Sequence, residues 1–321
     1  MYDVTALGEL LIDFTPAGPS SQGNPTFEQN PGGAPANVLA ALSKLGLSTA
    51  FIGKVGTDQF GQFLKKTLDD VGVSTHGLVM TETCNTTLAF VHLSPTGDRS
   101  FSFYRDPGAD LLLEPSELSY QLIEDCSIFH FGSVSMTGEP SRSATIAAVK
   151  HAKEQHKLVS YDPNLRLRLW KSPDAARAGI LSVMNLADLV KISEEELVFL
   201  TGESDLEKGA QHLIDTYGLQ LVLITLGPDG AYAHNKLGSA RRGTYDVAVV
   251  DTTGAGDAFT GGFLYKLIQS GKAPADLTAA ELDEFLDFAN AVGSLATTKK
   301  GAIPALPDLA TIEALRTNGP V

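Results

Sequence analysis

Asp251-Thr252-Thr253-Gly254-Ala255-Gly256-Asp257-Ala258-Phe259 sets a glycine-rich turn immediately before an apolar, helix-compatible stretch running from Ala258 to Ile268. Gly254 and Gly256 carry no side chains, so backbone can approach a ligand closely. The first free N–H groups of the following helix point outward with the positive end of its dipole, which makes the turn a seat for an anion of phosphate size. Asp257 falls in the same first turn. The dipole favours its ionised form, as suits a carboxylate that must accept a proton from a hydroxyl. A bare Gly-x-Gly would read as a turn after a strand followed by an ordinary helix acid; the neighbours of this one weigh against that.

Short apolar runs alternate with amphipathic stretches along most of the chain. Strands are expected at Val4 to Ile12, Thr49 to Ile52, Ile128 to Phe131, Leu158 to Tyr161, Leu189 to Ile192 and Leu221 to Thr225. Helices are expected at Ala36 to Leu45, Phe60 to Val71, Ser141 to Gln155 and Glu194 to Leu200. Such alternation requires crossover connections, hence an α/β fold with a largely parallel sheet covered by helices on both faces. Two segments break the rhythm. Phe14 to Asn30 is rich in Pro, Gly, Ser and Asn, and Thr86 to Arg105 reads as two alternating strands around the turn signal Ser94-Pro95-Thr96-Gly97-Asp98. Paired, they would form a small antiparallel flap over one edge of the main sheet, excluding water from a site beneath it; taken alone, either is an ordinary surface hairpin. No repeat, low-complexity tract or linker divides the chain, so residues 1–321 are expected to form one domain.

The composition narrows the partners. With 321 residues, 43% hydrophobic and 19% charged, the chain can bury a large core. Lys and Arg total 24 against 38 Asp and Glu, and the net charge of −14 argues against nucleic acid or an anionic membrane as a general partner. No run is long and apolar enough to span a bilayer, and Met1-Tyr2-Asp3-Val4 lacks the basic start of a signal peptide, so the cytoplasm is the expected setting. Cys84 and Cys126 are the two cysteines, with no CxxC and no Cys/His cluster, which supports neither a disulfide framework nor a zinc site.

A second constellation lies near the N-terminus, where Asn30-Pro31-Gly32-Gly33-Ala34-Pro35-Ala36-Asn37 leads into the helical pattern of Val38 to Gly46. The two glycines again allow close backbone approach, and Asn37 would project a donor and an acceptor from the first turn, groups suited to a polyhydroxyl ligand.

This run, the following Ile52-Gly53-Lys54-Val55-Gly56-Thr57-Asp58-Gln59-Phe60-Gly61 and the Asp-Thr-Thr-Gly-Ala-Gly-Asp box together resemble both signatures of the ribokinase/PfkB carbohydrate kinase family, in matching order and separation. The chain is most similar to the family's fructokinase branch, through Gly8-Glu9-Leu10-Leu11-Ile12-Asp13-Phe14, Phe103-Tyr104-Arg105, Ser160-Tyr161-Asp162-Pro163-Asn164-Leu165-Arg166, Lys191-Ile192-Ser193-Glu194-Glu195-Glu196 and Gly301-Ala302-Ile303-Pro304-Ala305-Leu306-Pro307. The resemblance runs from residue 3 to about residue 310. It implies a ribokinase-like three-layer αβα domain with a small β lid formed by about residues 14–31 and 86–106, and transfer of phosphate from ATP, with Mg2+, to a sugar hydroxyl.

The family pattern implies roles residue by residue. Asp257 would take the proton of the acceptor hydroxyl, and the amides of Gly254, Ala255 and Gly256 would hold the transferring charge. Sugar contacts would come from Asp13, Gly32, Gly33 and Asn37, with Arg105 entering from the lid and Asp162 or Arg166 on the far side. The nucleotide would lie along Thr225, Gly227 and Gly230, with adenine near Asn290. The family's Asn-x-x-Glu element, which organises magnesium through water, is Ser193-x-x-Glu196 here: the glutamate is retained and the amide is not. A monovalent cation such as K+ would be held by Asp251 and backbone oxygens near Thr253, Ala296, Lys299 and Gly301. Fructose, giving fructose 6-phosphate, is the leading acceptor. 2-Keto-3-deoxygluconate stays open because Arg105 and Arg166 could also meet a carboxylate, and a noncatalytic sugar- or nucleotide-binding regulator is the reading from another class. A protruding flap with exposed edges could also pair two copies as a homodimer.

Overall fold

The computed structural model describes residues 1–93 and 99–318. The chain begins with β1 (Tyr2–Leu7), β2 (Leu11–Pro19), β3 (Pro25–Gly32), α1 (Ala34–Lys44), β4 (Thr49–Gly56), α2 (Gln59–Asp70), β5 (Val73–Thr81), β6 (Leu88–Leu93) and β7 (Arg99–Tyr104). It continues through α3 (Tyr120–Glu124), β8 (Cys126–Gly132), α4 (Ser141–Glu154), β9 (Leu158–Asp162), α5 (Pro173–Leu181), β10 (Leu189–Ser193), α6 (Glu194–Thr201) and α7 (Leu206–Tyr217). It ends with β11 (Leu221–Thr225), β12 (Ala231–Asn235), β13 (Gly238–Arg242), α8 (Ala255–Ser270), α9 (Ala279–Ala296) and α10 (Leu309–Asn318).

Among the described residues, nine strands form the main sheet in the order β13-β12-β11-β10-β9-β8-β1-β4-β5. Its pairs are parallel from β11 through to β5, and β12 and β13 add antiparallel at one edge. The strands read as continuous apolar runs because both faces are buried. In β11, Leu221 and Leu223 enter one core with residues of α1, α8, α9 and α10, while Val222 and Ile224 enter the other with residues of α4, α5, α6 and α7. The three-layer α/β reading therefore holds. The strands Val73–Thr81, Ala231–Asn235 and Gly238–Arg242 are not marked by the sequence pattern.

The run Val4 to Ile12 is not one strand. β1 stops at Leu7, the chain turns through Gly8-Glu9-Leu10, and Leu11 starts β2 in a different sheet. At Gly8 a Cβ would come within 2.5 Å of the Pro35 ring, so backbone and the start of α1 meet here without room for a side chain. The apolar pattern resumes straight after Gly8-Glu9 because Leu7, Leu10 and Ile12 are all buried, on either side of the turn.

The second, small sheet has the order β3-β2-β6-β7 and is built from the two segments expected to form the lid. Both hairpins are antiparallel, but the expectation of an entirely antiparallel flap needs correction: β2 and β6 pair in parallel, with Ile12 opposite Leu88 and Phe14 opposite Phe90. Each is the outgoing strand of its hairpin, so where the two hairpins meet they run in the same direction. The turn signal Ser94 to Asp98 lies outside the described residues.

Helix α8, which follows the glycine box, is packed between α1 and α9. A Cβ on Gly261 would lie 2.7 Å from Ala41 Cβ of α1, and one on Gly262 would lie 2.9 Å from Val292 Cγ2 and 3.0 Å from Ala289 Cα of α9. Small residues on both flanks of α8 let its neighbours approach and fix where its first turn points. Gly262→Val should therefore cost about 1–3 kcal/mol by overpacking, read as a lower urea midpoint. An unchanged midpoint would contradict this close approach.

Candidate active site

Two cavities meet at the start of α8. The larger, about 560 Å3, is lined by Thr225, Gly227, Gly230, Tyr245, Phe259 and Asn290 among others. The smaller, about 260 Å3, is lined by Glu9, Asp13, Gly33, Asn37, Phe103, Arg105, Arg166, Lys191 and Asp257 among others. Thr252 and Gly256 belong to both walls. A molecule in each cavity would thus face the other across the glycine turn.

The turn is built as the sequence suggests. Gly254 caps α8 with φ 76°, the left-handed region that favours glycine, and a Cβ there would lie 2.6 Å from Ala302 Cβ. Ala258 N–H donates to the Gly254 carbonyl at 2.8 Å, the first bond of the helix, and Ala255 N–H makes a longer 3.3 Å bond to Thr252 O. The Ala255 amide is therefore partly occupied by its own turn. Asp251 fastens the approach: it accepts from Thr253 N–H at 3.0 Å, Thr253 Oγ1 at 2.8 Å and Gly301 N–H at 3.0 Å.

On the small-cavity side, Asn37 Nδ2 donates to Asp257 Oδ2 at 2.8 Å, joining the first turns of α1 and α8. Gly32 does not line the cavity, but its missing side chain leaves space for the Asp13 carboxylate. Gly33 has φ 123°, and any Cβ would collide with the Glu9 carbonyl. Glu9 in turn accepts from Ala34 N–H at 3.0 Å through Oε1. Among the described residues, three buried side-chain polar atoms have no partner, and two of them, Glu9 Oε2 and Asn37 Oδ1, belong to this cavity's lining residues. Both can accept, so the cavity is short of donors, which a polyol would bring.

Arg105 lies in the wall with most of its donors committed. Its Nε donates to Asp110 Oδ2 at 2.8 Å, one terminal nitrogen to Thr137 Oγ1 at 2.7 Å and the other to Val134 O at 3.1 Å. Asp162 is 1% exposed and is not in the cavity wall; Lys191 stands there instead, with Nζ 3.0 Å from Asp162 Oδ2. Arg166 is exposed at the rim. Trp170 is buried against Gly179 of α5, in a packing role.

Burial sets the electrostatics. It raises Asp257 to about 6, helped by the nearby Asp162 carboxylate and opposed by the Asn37 hydrogen bond, Lys191 and Arg166. It raises Asp13 to about 7, with Arg166 opposing and Asp257 and Asp251 reinforcing. Glu9 is raised to about 7 by burial, against its backbone hydrogen bonds and Arg105. Burial pulls on Lys191 in the opposite sense, but Asp162, Glu196 and Asp257 outweigh it and hold the ammonium above its usual range.

On the large-cavity side, Gly227 to Asp229 turns between the antiparallel strands β11 and β12. Asn290 Nδ2 donates to the carbonyls of Arg242 and Gly243, both at 3.1 Å, and so holds the segment that forms the cavity's wall. Glu196 is committed on both oxygens, accepting from Leu165 N–H at 2.6 Å and Ser193 N–H at 2.7 Å, while Ser193 Oγ accepts from Glu196 N–H. Serine at this position works as a helix cap. Among the described residues no three His, Cys, Asp or Glu side chains converge as a metal cage. Oxygen donors do fit a hard cation: the retained lone pairs of Glu196 suit a magnesium ion that keeps its waters, and Asp251, beside Thr253 and Gly301, suits a monovalent ion. Ala296 is buried and Lys299 exposed on the neighbouring segment.

The model of the pfkB family carbohydrate kinases matches residues 1–309. The chain belongs to this family. A probable chloroplastic fructokinase-6 of Arabidopsis thaliana is 49% identical over 307 residues, covering 95% of this chain and 79% of that one. The crystal structure of fructokinase with bound ATP from Xylella fastidiosa superposes with a TM-score of 0.90 at 35% identity, with 98% of each chain covered. A fructokinase double mutant from Vibrio cholerae O395, in its fructose-, ADP- and potassium-bound form, gives a TM-score of 0.86 at 37% identity, again over 98% of each.

For a carbohydrate kinase, two groups here escape the sequence. Lys191 and Glu9 carry no signal of their own beyond the motif blocks that contain them. A lysine between Val190 and Ile192 looks like a strand residue facing solvent, and only the fold reveals that its side chain enters the site.

Asp13 also links the site to stability. A carboxyl raised by folding binds its proton more tightly in the folded chain, so its contribution is present at low pH and lost as pH rises through about 7. Asp13→Asn should consequently melt above the parent at pH 8, with the gap narrowing as pH falls below about 7. A gap independent of pH would remove this assignment.

Proposed function

We propose that the chain is an ATP-dependent fructokinase, transferring the γ-phosphoryl group of ATP to the terminal hydroxyl of D-fructose to give fructose 6-phosphate. The observation that carries this reading is the meeting of the two cavities at Thr252 and Gly256, with Asp257 on the smaller side. The larger cavity would take ATP and the smaller the sugar, under the lid that contributes Phe103 and Arg105. The structures named above include one with bound ATP and one with fructose and ADP.

Phosphoryl transfer asks for alignment and charge stabilisation more than for covalent chemistry. Asp257 would orient the sugar hydroxyl and receive its proton as the new O–P bond forms. With its carboxyl near 6, it is ionised at neutral pH and closer to matching the hydroxyl than an exposed aspartate is. Asn37 keeps that carboxylate aimed, and the N–H groups at the start of α8 would stabilise the developing charge. Asp13, Asn37 and Glu9 would accept the sugar's hydroxyl protons. Magnesium, when bound with the nucleotide, neutralises phosphate charge; Glu196 would meet its waters, and a monovalent cation beside Asp251 belongs to the same proposal. The named relatives are fructokinases, which favours fructose over the keto acid. We place the enzyme in the cytoplasm as part of this reading. Among the described residues no helix is long and apolar enough to cross a membrane.

The wild-type chain with ATP and magnesium should prefer fructose to ribose and 2-keto-3-deoxygluconate, and its kcat/KM should rise with pH through about 6. Asp257→Ala should still bind both substrates by calorimetry while losing roughly 100-fold to 10,000-fold in kcat. Preference for the keto acid, or near-parental turnover in the variant, would overturn the proposal.

A further inference from the structure

Lys191 is the buried cation at the junction. It lies on β10, is 6% exposed, and lines the sugar cavity. Its Nζ would be 3.1 Å from a Cβ placed on Gly256, which with Thr252 lines both cavities. An ammonium has three N–H donors. Among the described residues Asp162 is its one hydrogen-bond partner, through Oδ2 at 3.0 Å. Two donors are left on a buried charge, at the place where a phosphoryl group would pass from one cavity to the other. Leaving such donors unmet is costly.

We infer that Lys191 contacts the transferring phosphoryl group, donating to its non-bridging oxygens while Asp162 holds the ammonium in place from behind. This rests on the kinase reading. In the step itself, the sugar oxygen forms a bond to the γ-phosphorus as the bond from that phosphorus to the β–γ bridging oxygen breaks. The bridging oxygen leaves with the electron pair on ADP, and the hydroxyl proton goes to Asp257. Lys191 neither gains nor loses a proton; it balances charge on the three equatorial oxygens as they pass Gly256. Lysine acts here as a point charge able to swing between two anions, which a planar guanidinium would do less readily.

The same ammonium acts on the base. Asp257 is faced by Asn37 from α1, Asp162 from β9, Lys191 from β10 and Arg166 from the segment after β9; Asp13 of β2 is close enough for the two carboxylates to affect each other. Lys191 lowers the Asp257 carboxyl and Asp162 raises it. Removing either therefore shifts the acid limb of the rate profile, in opposite directions.

The test uses the full chain in three forms, Lys191→Met, Asp162→Asn and the double variant that removes both charges together. The wild-type enzyme is first shown to phosphorylate fructose with ATP and magnesium; failure at that stage sinks the kinase reading and is distinct from any result with the variants. Lys191→Met should lose about 100-fold to 1,000-fold in kcat with the fructose KM changed far less, and its acid limb should move to higher pH. Asp162→Asn should move that limb to lower pH. Binding of the transition-state mimic ADP–aluminium fluoride in the presence of fructose should weaken in Lys191→Met, while ADP alone binds as to the parent. If a lone unpaired Asp162 unfolds the single variant, the double variant, with no charge left unpaired, is read instead and should show the same losses in kcat and mimic binding. Parental mimic binding with kcat within about 3-fold, or a loss confined to the fructose KM, would overturn the assignment.

Discussion

Asn37 Nδ2 and Asp257 Oδ2 are 220 residues apart in sequence and 2.8 Å apart in the fold. This hydrogen bond fixes the relative position of two helix starts, each preceded by glycines whose missing side chains let Asp13, Glu9 and Ala302 close in around them. Everything else in the site depends on that convergence. The β1 and β2 turn delivers Glu9 and Asp13 to the same place, and β10 delivers Lys191. Gly261 and Gly262 allow the packing of α8 against α1 and α9 that sustains it.

The electrostatic consequence is a cluster in which carboxylates outnumber cations. Asp13, Asp162, Glu196 and Asp257 lie around Lys191 and Arg166, and burial moves several of these acids toward neutrality. Such an arrangement is poor for an isolated folded chain and useful for chemistry. A group raised to about 6, as Asp257 is, changes protonation near the pH at which a cell works. An incoming nucleotide would add negative charge beside the same acids, which is why the buried ammonium and the α8 amides matter there.

Much of this is legible in the sequence. The Asp251 to Asp257 box marks the anion seat and base, Asn30 to Asn37 marks the other helix start, and the alternation of runs marks the sheet. Sequence reading fails where meaning depends on tertiary contacts. Val4 to Ile12 looks like one strand because Leu10 and Ile12 are buried in the lid junction as deeply as Leu7 is in the sheet. The parallel pairing of β2 with β6 follows from how two hairpins emerge, which no local pattern encodes. Asp162 or Arg166 is expected on the sugar's far side; Arg166 lines the cavity, while Asp162 lies behind Lys191, a relation set by neighbouring strands 29 residues apart. Ser193 looks like a lost amide and is a helix cap that holds Glu196 in position.

The central claim is that one hydroxyl of a sugar in the smaller cavity meets the γ-phosphorus across the start of α8, with Asp257 at its side. A crystal structure with fructose, magnesium and a non-hydrolysable ATP analogue tests this most directly. The account predicts the sugar's terminal hydroxyl within hydrogen-bonding distance of the Asp257 carboxylate and in line with the γ-phosphorus, with the triphosphate in the larger cavity. A sugar bound with that hydroxyl turned away from Asp257, or a nucleotide whose γ-phosphate lies away from Gly256, would contradict it.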